Sequence, residues 1–140
     1  MGNFPSTTKN DEEALNFLAL ETQRLYNIPA DFTGATSTPT AAQIIRGILS
    51  ISGGSTHGLT LPSAASVVAA MANPQVGSSF EFLVRNTNSG TLTVTAGTGN
   101  TLTGTATMPT ATNQLFRAVV TNATVGAEAV TYFPVLKTAS

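Results

Sequence analysis

The fold class predicted for this chain is mainly β: a single β-sandwich, jelly-roll-like, with an N-terminal helical arm and one short helix between strands. Three observations predict it. From Ser79 to Val135 the sequence is rich in Thr, Gly, Val and Phe, and apolar residues alternate with polar ones in the period of a half-buried strand. These stretches are short and recur about every 8–12 residues, the spacing of a sandwich or jelly roll. Clusters of turn formers separate them, at Asn88-Ser89-Gly90, Gly97-Thr98-Gly99-Asn100, Pro109 to Asn113 and Asn122 to Gly126.

Residues 1–39 read as an arm and residues 40–140 as the β body. In the arm, Asn10 can cap a helix over about residues 11–26, with Glu13 three residues later completing a capping-box pattern. Asp11 and Glu12 suit the positive end of that helix's dipole. Leu15, Leu18, Thr22 and Leu25 recur at helical spacing and form an apolar stripe, widened by Phe17, Leu20 and Tyr26. The helix ends before Pro29, because proline disfavours helical geometry in the residue before it. Ala30 to Pro39 is a turn-rich connection, either a linker or a surface loop of one compact unit.

The body opens on an ambiguous run. Ile44, Ile45, Ile48, Leu49 and Ile51 fit a short helix or a buried strand. The β-branched density and the Gly53-Gly54 stop favour a strand from Ile45 to Ser52. Gly58 to Leu61 reads as a strand ended by Pro62, and Ser63 to Ala72 as a short helix capped by Ser63 and closed by Asn73-Pro74. Five strands follow: around Phe80, Phe82 and Val84; around Leu92 and Val94; a weak one from Thr101 to Gly104; Leu115 to Thr121; and Ala129 to Val135.

Charged residues make up only 9% of the 140, against about a quarter in ordinary soluble domains. Net charge is −1, and so weakly charged a surface favours association. Lys9, Arg24, Arg46, Arg85, Arg117 and Lys137 are scattered, with no basic stripe to engage a phosphate backbone, so no nucleic-acid partner is expected. No apolar run reaches the ~18 residues of a spanning helix, so no membrane partner is expected either. The chain has no cysteine, hence no disulfide or thiolate chemistry. Its first residues lack a charged stretch followed by an apolar run, the pattern of a secretion signal, so synthesis in a cytoplasm without secretion is expected.

Residues able to carry chemistry are few. His57, the only histidine, sits in a glycine-rich turn and reads as an exposed loop residue. To act with a serine it would need Asp31, Glu81 or Glu128 to orient it. Gly97-Thr98-Gly99 starts like a dinucleotide fingerprint but lacks the third glycine and the following helix, so it reads as a hairpin loop. Asp11, Glu12 and Glu13 fan around a helix start rather than converging on a cation. Asn122-Ala123-Thr124 fits the glycosylation acceptor pattern but reads as a turn. Phe80, Phe82, Phe116, Tyr132 and Phe133 read as core aromatics at strand spacing. No catalytic, cofactor or metal site is expected, and no enzymatic activity.

From Thr40 to Tyr132 six segments keep a recognisable order: Thr40-Ala41-Ala42-Gln43-Ile44-Ile45; Leu59-Thr60-Leu61-Pro62-Ser63-Ala64-Ala65; Val76-Gly77-Ser78-Ser79-Phe80-Glu81-Phe82-Leu83-Val84; Leu92-Thr93-Val94-Thr95-Ala96-Gly97-Thr98-Gly99; Phe116-Arg117-Ala118-Val119-Val120-Thr121-Asn122; and Glu128-Ala129-Val130-Thr131-Tyr132. In this order they resemble a β domain of structural proteins from tailed phages and some large viruses. The resemblance implies a virion structural protein, of the capsid decoration (cement) type, that binds the major capsid protein or other virion subunits as a homotrimer and stabilises the shell. The alternative it implies is a tail fibre, spike or baseplate component that recognises a host-surface glycan. The arm falls outside the resemblance. Its Leu15, Leu18 and Leu25 are the candidate assembly contacts, clasping a neighbouring subunit, unless the stripe covers the chain's own body.

Overall fold

The computed structural model describes residues 29–104 and 106–139. The predicted arm helix, with Leu15, Leu18 and Leu25, lies outside the described residues. Twelve elements follow in chain order: β1 (Ala30–Phe32), β2 (Thr36–Ser37), α1 (Ala41–Arg46), β3 (Ile48–Ile51), β4 (His57–Thr60), α2 (Ala64–Ala70), β5 (Ser79–Asn86), β6 (Leu92–Thr95), β7 (Asn100–Leu102), β8 (Thr107–Met108), β9 (Thr112–Asn122) and β10 (Ala129–Ala139).

The chain is mainly β, as predicted, and its strands form two sheets. One has six strands in the order β1-β3-β5-β9-β10-β7, the other four in the order β2-β4-β6-β8. From β1 to β8 successive strands alternate between the sheets. The chain therefore winds as a coil. β1–β2, β3–β4 and β5–β6 are three successive turns, and each strand lies parallel to its counterpart one turn earlier. The β9–β10 hairpin then runs antiparallel to β5 and ends the winding.

This order departs from the expected jelly roll, in which neighbouring strands run antiparallel: five of the eight pairings here are parallel. The alternating pattern reports which face of a strand is buried and carries no information on direction, so it fits either arrangement. Parallel neighbours need a long crossover. Here the crossover is a strand of the other sheet, with α1 or α2 added in the first two turns. The Ala30–Pro39 connection proves to hold β1 and β2, the first turn of the coil. The Ile44–Ile51 run divides into a helix and a strand. Thr40 and Gln43 form a reciprocal capping box at the start of α1, and Gly47, at φ 110°, ends it in a left-handed conformation that leads into β3. Ser63 caps α2 as expected, its Oγ accepting from the Ser66 N–H at 3.2 Å.

Both sheets and both helices share one hydrophobic core. It includes Ile44 and Val67 from the helices, Leu49, Phe82 and Val84 from the larger sheet, and Leu59, Leu92 and Val94 from the smaller. Each such side chain contributes roughly 1.5–3 kcal/mol through burial. In register, Leu49 lies beside Val84, Leu59 beside Val94, and Leu92 beside Met108, so like residues stack from turn to turn. At the widest part, Phe82 stacks on Phe116 with ring centroids 5.3 Å apart, and Tyr132 meets Phe82 edge-on at 6.0 Å. Phe133 departs from expectation. It points to the outer face and is exposed, because it follows inward-facing Tyr132 on the same strand.

The turns stack closely at their corners. A Cβ on Gly97 would sit 2.1 Å from the Leu61 carbonyl oxygen, and one on Gly90 2.7 Å from the Thr56 backbone nitrogen. Both neighbours are backbone and cannot swing away. Gly97→Ala is therefore expected to destabilise the fold by about 3 kcal/mol or more in urea unfolding. Gly77→Ala, where a Cβ meets open space at φ +93°, should lose only about 1–2 kcal/mol.

Candidate functional site

His57 is wholly buried on the inner face of β4, at the ladder position that Leu92 takes one turn later. The expectation of an exposed loop residue is thus overturned: the glycine-rich turn ends at Thr56, and His57 is the first residue of the strand. Both ring nitrogens are engaged. Nδ1 lies 2.8 Å from the Gly34 carbonyl and Nε2 lies 2.7 Å from Ser37 Oγ. A carbonyl only accepts, so Nδ1 carries the proton; in the neutral ring Nε2 then accepts from the serine hydroxyl. The imidazole ties the corner and second strand of turn one to turn two.

None of the three carboxylates singled out from the sequence serves this pair. Asp31 is exposed on β1, in register with Ser50. Glu81 pairs with Arg117 across β5 and β9, and Glu128 accepts from the Gly126 N–H at 3.0 Å. Among the described residues no group of three His, Asp or Glu side chains is placed to hold a metal ion. Gly97 and Gly99 form the corner leading into β7, where Gly99 packs against Ala64 and the Glu128 carbonyl, so their role is close packing. In Asn122-Ala123-Thr124 the asparagine Oδ1 accepts from the Thr124 N–H at 2.9 Å, closing a turn.

The buried polar residues serve the coil in the same way. Asn86 replaces an apolar residue in the ladder between Ile51 and Thr112. Its Nδ2 lies 3.0, 3.0 and 2.9 Å from the carbonyls of Gly90, Met108 and Pro109, and its Oδ1 accepts from the Asn88 N–H at 3.1 Å. Asn88 Oδ1 in turn accepts from the Gly54 N–H at 3.2 Å, reaching back to the previous turn. Asn86→Ala leaves these groups without partners and is expected to lose about 2–4 kcal/mol, measured by urea unfolding.

What remains is surface. Beyond Tyr132, β10 outruns β7. From Phe133 to Ala139 it has ladder partners on its β9 side alone among the described residues. Phe133, Val135 and Leu136 are 41%, 51% and 57% exposed along this open edge. Pro134, which lacks an N–H, and a register shift between Pro134 and Leu136 interrupt the ladder there. The outer face of the six-stranded sheet is also apolar along one line. Ile48, Leu83, Leu115 and Leu136 are in register across β3, β5, β9 and β10. The first three are half-buried. Sequence reading did not find this line, because it exists only once the register is known. The break in alternation at Pro134-Val135-Leu136 was its one visible trace.

No family model, curated protein or solved structure matches the chain.

Tyr132 carries the clearest electrostatic signature. Burial holds its phenol well above the ordinary value, and among the described residues its hydroxyl has no hydrogen-bond partner. The unfolded chain loses this proton near pH ~10, whereas the folded chain keeps it to higher pH. Stability from this group is thus complete below about pH 10 and falls as pH rises beyond it. Tyr132→Phe is expected to remove that part of the alkaline decline, and at neutral pH to be neutral or stabilising by up to ~1 kcal/mol. Chemical unfolding between pH 7 and 11 checks both.

Proposed function

We propose that this chain is a virion structural protein, a capsid decoration (cement) protein that binds the outer capsid surface as a homotrimer and stabilises the shell. The observation that carries this reading is the open half of β10. A strand edge with exposed Phe133, Val135 and Leu136 offers apolar area to another chain; of the devices by which free proteins blunt such edges it carries Pro134 and a register shift, so the contact rests on side chains more than on ladder pairing. Lys137 stands beside this edge, but its Nζ is turned to the Thr107 carbonyl at 2.7 Å. In a homotrimer the edge meets a second copy, which covers the apolar side chains.

Two further observations support an assembly role. Charge is scarce throughout the chain, as expected of a subunit that spends its life against neighbours. The glycine corners and the Asn86–Asn88 junction fix the spacing between turns, which suits a part that resists opening of a shell. The reading also rests on the resemblance of residues 40–132 to virion β domains.

The reading is tested at two levels. Sedimentation equilibrium of the full chain is expected to give a trimer, and Val135→Lys, which sets a charge on the open edge, is expected to shift it to monomer by at least tenfold in dissociation constant. A wild-type monomer at all accessible concentrations sinks the trimer. Antibody–gold labelling of purified particles is expected to decorate the head evenly. Label confined to the tail would replace the capsid reading with a fibre or baseplate role.

A further inference from the structure

A closed trimer needs two unlike patches on each subunit. Its three contacts are identical and head-to-tail, so one patch of a subunit faces a different patch of the next. An edge that met its own copy would give a two-fold dimer instead. The open edge of β10 is poorly built for that. Pro134 lacks an N–H and the register shifts between Pro134 and Leu136, so two copies cannot extend a regular ladder through this stretch. What the edge offers is a ridge of apolar side chains, and a ridge needs an apolar surface to receive it.

Among the described residues one face meets that need. Ile48, Leu83 and Leu115 are in register across β3, β5 and β9 on the outer side of the six-stranded sheet, and each is half-buried. Asp31, Ser50, Arg85 and Asn113 border them on one side, and Glu81 with its partner Arg117 on the other. An apolar centre inside a polar rim is the anatomy of an interface. Part of this sheet, β1-β3-β5, is parallel, and parallel sheets are almost always covered on both faces. Other surfaces do not match the ridge. The outer side of the smaller sheet presents exposed Thr60, Thr93, Thr95 and Thr107, and Val76 and Val125 stand singly in turns.

We infer that the edge of one copy, with Phe133, Val135 and Leu136, docks on the Ile48–Leu83–Leu115 face of the next copy, so that each contact of the trimer is edge on face. The inference rests on the trimer reading and deepens it by naming the surface that receives the edge. Leu136, in register with Leu115, belongs to the donating edge. Each subunit then gives one apolar ridge and receives one, and both patches are covered.

The chain has no cysteine, so single introduced thiols report the contact. Val135→Cys marks the edge; Ile48→Cys and Leu83→Cys mark the face. All three positions lie outside the fully buried core, so the fold is retained. The edge variant, carrying a tag, is refolded from urea with an equal amount of either face variant and mildly oxidised. At least one of the two mixtures is expected to give a disulfide-linked dimer holding one chain of each kind, while every variant alone stays reduced. Dimers from Val135→Cys alone would overturn the inference in favour of edge on edge, and dimers from a face variant alone in favour of face on face. A trimer by sedimentation whose two mixtures both stay reduced would overturn this inference and leave the trimer reading standing. A wild-type monomer overturns both. Leu83→Lys supplies a second readout. Leu83 lies two strands from the edge, yet its replacement is expected to raise the trimer's dissociation constant about tenfold or more, with the far-ultraviolet circular dichroism unchanged. An unchanged constant would count against the face as the receiving surface.

Discussion

Everything in this fold depends on backbone meeting backbone where one turn of the coil lies on the next. Strand pairing within each sheet sets the spacing between turns, and the corners must accept it. At Gly90 and Gly97 that spacing leaves no room for even a methyl group. The corners also expose amides and carbonyls that no ladder satisfies. Asn86, Asn88 and His57 supply the missing partners, each from inside the coil and each toward a corner. A buried amide or imidazole is costly when unpaired and holds its position well when paired. Through their paired atoms these three residues fix the spacing between turns, while Asn88 Nδ2 has no partner among the described residues.

The β9–β10 hairpin plays a different part. It brings Phe116 and Tyr132 against Phe82 and closes the core with aromatic area that the short strands of the first turns cannot supply. Its antiparallel pairing with β5 also stops the winding, since the next parallel position in that sheet is already taken. The strands of the same hairpin have 11 residues each, against 3 in β7. Its outer half therefore projects past β7 and carries apolar residues into solvent. Core closure and the open edge arise from one element.

Much of the body was legible in the sequence, because burial and turn chemistry leave local marks. The α2 helix announced itself by Ser63, β5 and β6 by alternation, and β9 and β10 by their apolar density. The marks failed where elements are very short or where direction matters. β1, β2 and β8 have two or three residues each, too few for a period to show. The Thr40–Gln43 box that starts α1 was present but outweighed by the β-branched residues after it. Parallel winding had no local signal at all, for a strand reads the same in either direction. His57 was misplaced because its glycine-rich neighbours describe the corner before it, while its own side chain belongs to the ladder. The surface lines were the least legible, since register between strands distant in sequence decides them.

The winding has a consequence for how the protein reaches this state. Ile48 pairs with Leu83 and His57 with Leu92, 35 residues apart in each case. No turn can form its ladder until a long loop has closed around it, and the entropy of that closure is lost before the contacts return anything. Chains built on such distant pairings refold slowly, on the scale of roughly milliseconds to seconds. The β9–β10 hairpin is the local exception, joined by a turn of a few residues from Asn122 to Ala129. Its short loop closes at little cost in entropy, so a coil that nucleated there would be completed against the order of synthesis.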